Sequence, residues 1–269
     1  MKLAVIGIGK MGQALLRRWL AANWITAEQI TVYDADPAVM TAFAAEYTVQ
    51  TAASPAAAAR QADWVLLAVK PQVAPSVLKT LAADWQPGQV LVSIAAGLTL
   101  ADLRGWSGRQ PAIVRVMPNL PAVIGQGVSA ICYDQATTEI MATAQSMFTV
   151  CGLAADVPEA LFDAVTGLSG SGPAYVLMMI EALADGAVAQ GLSRQQALQM
   201  AARTVEGAAA LVLESQEHPA VLRDQITSPG GTTAAALRVL EHGGLRAAVI
   251  DAVGAAAERS RQLRTDKPS

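Results

Sequence analysis

Three glycines, Gly7, Gly9 and Gly12, stand in "GIGKMG" at the spacing G-x-G-x-x-G. They follow the β-branched run "KLAVI" and open a helical stretch. In that setting the first glycine permits a tight turn and the second lets backbone approach a pyrophosphate. The third lets the helix pack on the strand. The helix N-terminus then offers free N–H groups to phosphate. An ordinary glycine turn is the plainer reading. Against it, Asp34 ends the next strand, 22 positions after Gly12. An acid there hydrogen-bonds a ribose 2′-OH and repels a 2′-phosphate, and no Arg follows in "DADP". Dinucleotide binding is expected, with NADH favoured over NADPH. The competing role for Asp34 or Asp36 is to cap the next helix.

Further candidates sit where later strands end, on the edge that holds ligands in such sheets. They are "AVKPQ" (Ala68 to Gln72), "AAG" (Ala95 to Gly97) and "MPN" (Met117 to Asn119). Small residues and Asn119 at successive strand ends suit a flat nicotinamide. Lys70 reads as a cofactor contact, a catalytic cation or a plain surface lysine.

Two Gly/Ser/Pro clusters open helices later in the chain: "GLSGSGPAY" (Gly167 to Tyr175) and "SPGGTT" (Ser228 to Thr233). Each can expose backbone N–H groups at a positive helix end, a seat for a small anion such as a carboxylate. For the first, close packing through small residues explains the composition equally well. For the second, Thr232 or Thr233 could cap the helix alone, but capping leaves two glycines unexplained, so an anion-binding nest is favoured.

What is missing narrows the chemistry. His218 precedes a proline and His242 sits at a helix end, neither with an acid partner at hand. No H-E-x-x-H, G-x-S-x-G or paired metal ligands occur, and no metal site is expected. A hydride transfer that needs no strong general acid fits best. Imine reduction is such a case, because the nitrogen can arrive protonated.

The elements that must position these residues alternate in the first half. Strands are read at "KLAVIG", "QITVYD", "WVLLAV", "QVLVSIAA" and "AIVRVM". Helices are read from about Lys10 to Ala22, after Asp36-Pro37, and from Val73 to Ala82. Apolar strands without polar alternation belong to a parallel sheet covered on both faces. This predicts an α/β Rossmann-type doubly wound sheet. "GVSAICY", a helix from Thr137 to Phe148 and "CGLAADV" extend it.

After Pro158 no strand is convincing. "GPAYVLMMIEALADGAVAQG" is apolar nearly all round, which predicts a central buried helix. "LSRQQALQ" opens the next helix with Ser193 and Gln196 at capping-box spacing. A last helix covers Leu245 to Leu263. The expected division is 1–157, a dinucleotide-binding domain, and 158–269, an all-helical domain.

Composition limits the partners. Apolar residues make up 53% of the 269 and aromatics only 4%, so small-residue helices have surface to spare for an oligomer interface. A net charge of −3 gives no reason to expect nucleic acid or an anionic membrane. The densest basic group, "ERSRQLR", reads as a solvated helix face. Two cysteines, Cys132 and Cys151, match no redox pair and suit a reducing cytoplasm. Gly7 and Gly9 interrupt the N-terminal apolar run, so it does not read as a signal peptide. No 18-residue apolar span lacks a charge, so no membrane crossing is expected.

At these residues the sequence resembles pyrroline-5-carboxylate reductases over essentially its whole length. The resemblance is carried by "GIGKMG", "AVKP", "SIAAG", "VRVMPNLP", "GLSGSGPAYV", "EALADGAVAQGL" and above all "SPGGTTAAALRVLE". It implies NAD(P)H-dependent reduction of (S)-1-pyrroline-5-carboxylate to L-proline, the last step of proline biosynthesis. It implies a homodimer or higher oligomer built through the helical domain. Carried over by motif, Gly7, Ile8, Gly9, Lys10, Met11, Ala68, Val69, Lys70, Pro71, Ala95, Ala96 and Gly97 contact the dinucleotide. The N–H groups of Gly231, Thr232 and Thr233, in the turn with Ser228 and Gly230, hold the substrate carboxylate. The Thr233 hydroxyl faces the ring nitrogen. "YDADP" departs from the family's usual Ser, Thr or Arg after the second strand, and "AASPAA" puts Pro55 or a neighbour where an Asn is common. Both departures agree with the Asp34 argument for NADH.

Two other readings compete. A β-hydroxyacid-type dehydrogenase shares the layout but wants a lysine in the helical domain. Between Asp156 and Ser269 the only lysine is Lys267. A non-catalytic NAD(P)-binding sensor would bind cofactor without turnover.

Overall fold

Leu3–Ile6 (β1), Trp64–Leu67 (β4) and Val90–Ser93 (β5) are buried along their whole lengths. Such strands need cover on both faces. The computed structural model, which describes residues 1–108 and 110–265, supplies it. Side chains of β1 alternate between two cores. Leu3 and Val5 pack with Leu15, Leu16 and Trp19 of the helix Lys10–Ala21 (α1), and with Met147 and Phe148 of Thr138–Thr149 (α6). Ala4 and Ile6 pack with Leu78 and Leu81 of Ala74–Leu81 (α4), and with Leu103 of Leu100–Ser107 (α5).

The remaining strands are Ile30–Tyr33 (β2), Gln50–Thr51 (β3), Ala112–Met117 (β6), Gly127–Asp134 (β7) and Gly152–Asp156 (β8). They form one eight-stranded sheet in the order β3-β2-β1-β4-β5-β6-β7-β8. All neighbours run parallel except β6 and β7. The chain winds outward from β1 to β3 and returns to β4 beside β1. The crevice between the ends of β1 and β4 is therefore the switch point of the sheet. Two further helices lie in this half, Pro37–Tyr47 (α2) and Pro55–Ala59 (α3). Strand β3 and helices α3 and α5 go beyond the sequence expectation.

The chain divides into two compact units. One is Met1–Ser171 together with the chain from Ala255 onward; the other is Gly172–Gly254. In the first unit a short helix, Phe162–Val165 (α7), leads into a π-helical turn at Thr166–Gly170. Asp163 of α7 is buried. It accepts hydrogen bonds from Ser260 Oγ (2.8 Å) and an Arg264 guanidinium nitrogen (2.6 Å). This corrects the reading of "ERSRQLR" as a solvated face. Arg261 does point outward and pairs with Glu258, but Ser260 and Arg264 face inward onto a buried acid.

The second unit holds Gly172–Ala189 (α8), Arg194–Ser215 (α9), Pro219–Gln225 (α10), Thr232–His242 (α11) and the start of Leu245–Thr265 (α12). Ser193 caps α9 by accepting from the Gln196 N–H, as its spacing predicts. His218 caps α10 in the same way through Nδ1. The core of this unit is small: Ala184, Ala197 and Ala201. Of α8 only Ala184 is buried, while Val176, Leu177, Met178 and Leu183 are exposed. The expectation of a buried central α8 is thus not met within one chain. Ala184 and the half-buried Ile180, Ala187 and Val188 satisfy one stripe against α9, and most of the other large apolar side chains of α8 are exposed. By length and composition the helical run Glu159–Ala189 could cross a membrane. It also carries Asp163, Glu181 and Asp185, and Asp163 is tied to Ser260 and Arg264.

Trp19 and Phe148 lock α1 to α6. The rings meet edge-on with centroids 6.0 Å apart, and Trp19 Nε1 donates to the Met147 carbonyl at 2.7 Å. Phe148→Ala should cost about 3–5 kcal/mol of stability. Urea unfolding followed by tryptophan fluorescence checks this; a midpoint within error of the parent would contradict the packing account.

Candidate active site

Gly7 follows β1 with φ +95°, a backbone conformation that favours glycine. A Cβ there would lie 2.7 Å from the Ala68 carbonyl oxygen, at the end of β4. At Gly12 a Cβ would lie 2.5 Å from the Gly7 oxygen. So the first and third glycines of "GIGKMG" are required by contacts inside the fold. Gly9 differs. A Cβ there would meet nothing within 4 Å, so no contact among the described residues demands glycine at that position. Gly9 is also the N-cap of α1, with no capping side chain and no acid in the first turn. Open space, free N–H groups and a positive helix end fit a dinucleotide pyrophosphate.

The loop is held by Asp34. One carboxylate oxygen accepts from the Ile8 N–H at 2.7 Å and the other from the Asp36 N–H at 3.0 Å. Asp36 in turn caps α2 through the Ala38 N–H. The division of labour left open by the sequence is therefore resolved: Asp36 caps, and Asp34 braces the glycine loop. Each Asp34 oxygen keeps a second lone pair for a ligand.

A cleft of about 610 Å³ opens along this edge, lined by Gly7, Gly9, Asp34, Pro55, Lys70 and Val73 among others. Lys70 is exposed on its wall, with Ala68 and Val69 beside it and Pro71 next in the chain. Lys10 is exposed and Met11 half-buried in the first turn of α1. Tyr33, Val73 and Val77 also line the cleft, an apolar wall that the sequence reading missed. The signal was available: "QVAPSV" directly follows the "AVKP" strand end.

Ala95, Ala96 and Gly97 continue from β5 on the same edge, with Gly97 at φ +74°. Asn119, at the end of β6, makes two hydrogen bonds within the fold. Its buried carboxamide accepts from the Val128 N–H at 2.8 Å and donates to the Ser169 carbonyl at 2.9 Å. The side chain braces the end of β6 against β7 and the π-helical turn, and keeps one amide hydrogen and one lone pair beyond these two bonds. Met117 reaches the same turn, where a Cβ on Gly170 would lie 2.7 Å from its terminal methyl.

In the second unit the "SPGGTT" turn has its own logic. Gly230 takes φ +68°, and the Gly231 N–H donates to the Ser228 carbonyl at 3.0 Å. A Cβ on Gly231 would collide with Ser228 Oγ. Gly231 is the N-cap of α11, and no side chain caps that helix. Neither Thr232 nor Thr233 does the capping, which removes the plainer explanation of their hydroxyls. Thr232 is exposed and Thr233 half-buried.

No group of three or more His, Cys, Asp or Glu side chains that could hold a metal occurs among the described residues. Both cysteines are buried and their thiols are pushed up by that burial, Cys132 to about 12 and Cys151 to about 11. Neither serves as a thiolate at neutral pH. Lys267 lies outside the described residues.

The chain is similar to known proteins along nearly its whole length. A profile for "Pyrroline-5-carboxylate reductase dimerisation" matches residues 159–263, and one for "NADP oxidoreductase coenzyme F420-dependent" matches residues 2–97. The pyrroline-5-carboxylate reductase of Synechocystis sp. is 44% identical, over 97% of this chain and 98% of its own. That of Methanosarcina acetivorans is 42% identical over 97% of each. Among solved structures, the Plasmodium falciparum enzyme with NADP bound superposes with a TM-score of 0.90 at 33% identity, covering 98% of both chains. The Coxiella burnetii enzyme gives 0.90 at 31%, covering 100% of this chain and 99% of its own.

Gly7→Ala should lower the affinity for reduced dinucleotide and cost about 1–3 kcal/mol of stability. Gly9→Ala should weaken dinucleotide binding with little change in thermal midpoint. Fluorescence titration and thermal melts of the two variants separate these effects; equal loss of stability in both would contradict the distinction. With cofactor edge, helical unit and full-length relatives in agreement, the chain belongs to the pyrroline-5-carboxylate reductase family, oxidoreductases that reduce 1-pyrroline-5-carboxylate to L-proline with NAD(P)H.

Proposed function

We propose that the reaction proceeds by direct hydride transfer to the imine carbon, with the substrate held at the "SPGGTT" turn. The observation that carries this is the start of α11: Gly231 caps it without a side chain, and no acid stands in its first turn. Such an end attracts a carboxylate. The N–H groups of Thr232 and Thr233 bind it, the Gly231 N–H, which closes the turn on the Ser228 carbonyl, lies beside them, and Ser228 and Gly230 shape the turn. A fixed carboxylate presents one face of the ring, and this positioning is the main contribution of the protein. The Thr233 hydroxyl contacts the ring nitrogen and relays or shares its proton. A carboxyl side chain in that turn would compete with the substrate's charge.

When bound, the dinucleotide supplies the hydride. Gly7, Ile8, Gly9, Lys10, Met11 and Gly12 hold its pyrophosphate end. Lys70, Pro71 and the Ala68–Val69 backbone line its path, and Ala95 to Gly97 lie toward the nicotinamide. The Asp34 carboxylate favours a free ribose 2′-OH, so NADH is the preferred donor. Its contact with the Ile8 N–H supports this, because it keeps the charge at the cleft. By role, residues 1–157 bind dinucleotide and 158–269 bind substrate and the partner subunit. The working unit is a homodimer. The exposed apolar faces of α8 and the dimerisation profile over 159–263 support it.

Loss of reduced-nicotinamide absorbance with pyrroline-5-carboxylate tests the reaction, and binding without turnover would leave a sensor. Thr233→Ala should keep dinucleotide affinity and lower kcat about a hundredfold; an unchanged kcat would remove the hydroxyl from the mechanism. Asp34→Ala should shift the ratio of kcat/KM values toward NADPH by about tenfold or more. Steady-state assays with both cofactors decide this, and a parent enzyme that already prefers NADPH would refute the role of Asp34.

A further inference from the structure

We propose that Asp163 is a positioning residue for the dinucleotide loop, acting through the C-terminal helix of its own chain. The inference rests on the assignment of Ala95–Gly97 to the dinucleotide. Ala95 and Leu98 are buried in the core, but Ala96 and Gly97 between them are not. The start of the loop is fixed where the Ile94 N–H donates to the Leu67 carbonyl and the Ala95 N–H to Ser93 Oγ. From Ala96 to Leu98 no backbone hydrogen bond restrains it among the described residues. Gly97 has no side chain to anchor it and sits at φ +74°.

The support comes from α12. A Cβ built on Gly97 would lie 3.8 Å from Leu263 Cβ and 3.9 Å from the Leu263 carbonyl oxygen, ordinary packing distances. The end of α12 is therefore a wall against which the loop packs at Gly97. What holds that wall is the buried carboxylate of Asp163, which binds Ser260 Oγ and the Arg264 guanidinium on either side of Leu263 in the sequence.

Asp163 is itself registered to the far end of the same loop. Its neighbour Phe162 lies beneath the Arg115 guanidinium, 4.4 Å from the ring centroid. Arg115 pairs with Glu159 at 2.6 Å, and Glu159 accepts from the Leu100 N–H at 2.6 Å. Leu100 opens α5 directly after the loop. One short segment, Glu159 to Asp163, thus fixes the loop's exit through Leu100 and its outer wall through α12. Releasing the wall frees Gly97 while the hydrogen bonds of the sheet remain.

The test measures dinucleotide dissociation constants by fluorescence titration, together with kcat and the KM for the imine, on the full chain. The variants are Ser260→Ala, Arg264→Ala and Arg264→Lys. Arg261→Ala, on the exposed side of the same helix, is the control. Ser260→Ala with Arg264→Ala should raise the dissociation constant for NADH and NADPH about tenfold. The KM for the imine and kcat at saturating dinucleotide should stay within about twofold. Arg264→Lys should recover most of the affinity, and Arg261→Ala should change nothing. An unchanged dissociation constant, even with a lowered thermal midpoint, overturns the proposal and leaves Asp163 a stability residue. A rise confined to the imine KM also overturns it. Absence of imine reduction in the parent would refute the proposed function, while the titration would still decide the role of Asp163.

Discussion

Where the chain turns from β1 into α1 it passes against the end of β4, with the Ala68 carbonyl in the place a side chain of Gly7 would need. That approach sets the pitch of everything at the carboxyl edge of the sheet. It forces Gly7 into a left-handed backbone and brings Gly12 onto the Gly7 oxygen. It also leaves Gly9 as the outermost point of the turn. Asp34 then closes the arrangement from β2 by accepting the Ile8 N–H. A loop made in this way costs almost no side chains. It consists of backbone donors held still by steric exclusion, which is why three glycines and one acid specify so much.

The sequence showed the strands that are buried on both faces, because Val, Ile and Leu without alternation have few other uses. It did not show β3, whose two residues, Gln50 and Thr51, are both exposed. Nor did it show α3, where Ser54 caps the helix and Pro55 starts it, because "AASPAAAA" has no periodicity to read. Helix α5 was missed although Thr99 and Asp102 form a complete capping box. Its apolar face is short, and only Leu103 and Ser107 are buried.

Site residues divide in the same way. The glycine loop was legible because its spacing is distinctive, and two of its positions, Gly7 and Gly12, have a steric reason that only glycine meets. Nothing local predicts that the Asn119 carboxamide meets Val128 and Ser169, the latter 50 residues away. The two glycines of "SPGGTT" acquire separate causes. Gly230 answers a backbone angle, and Gly231 answers the nearness of Ser228 Oγ. Helix α8 misled for a different reason. An apolar circumference reports burial in the assembled molecule, and a single chain supplies only part of the cover.

Strand β3, with two residues paired to β2 and both exposed, ends one side of the sheet abruptly. So short a border gives an incoming peptide almost no ladder to extend. The sheet is closed to strand addition there without lysines or bulges to guard it. Sticky surface in this chain is concentrated on helices instead, where partner choice depends on side-chain fit rather than on generic backbone pairing. A protein so rich in alanine and valine can thereby expose apolar area for assembly while keeping the amyloid-like route blocked at that border.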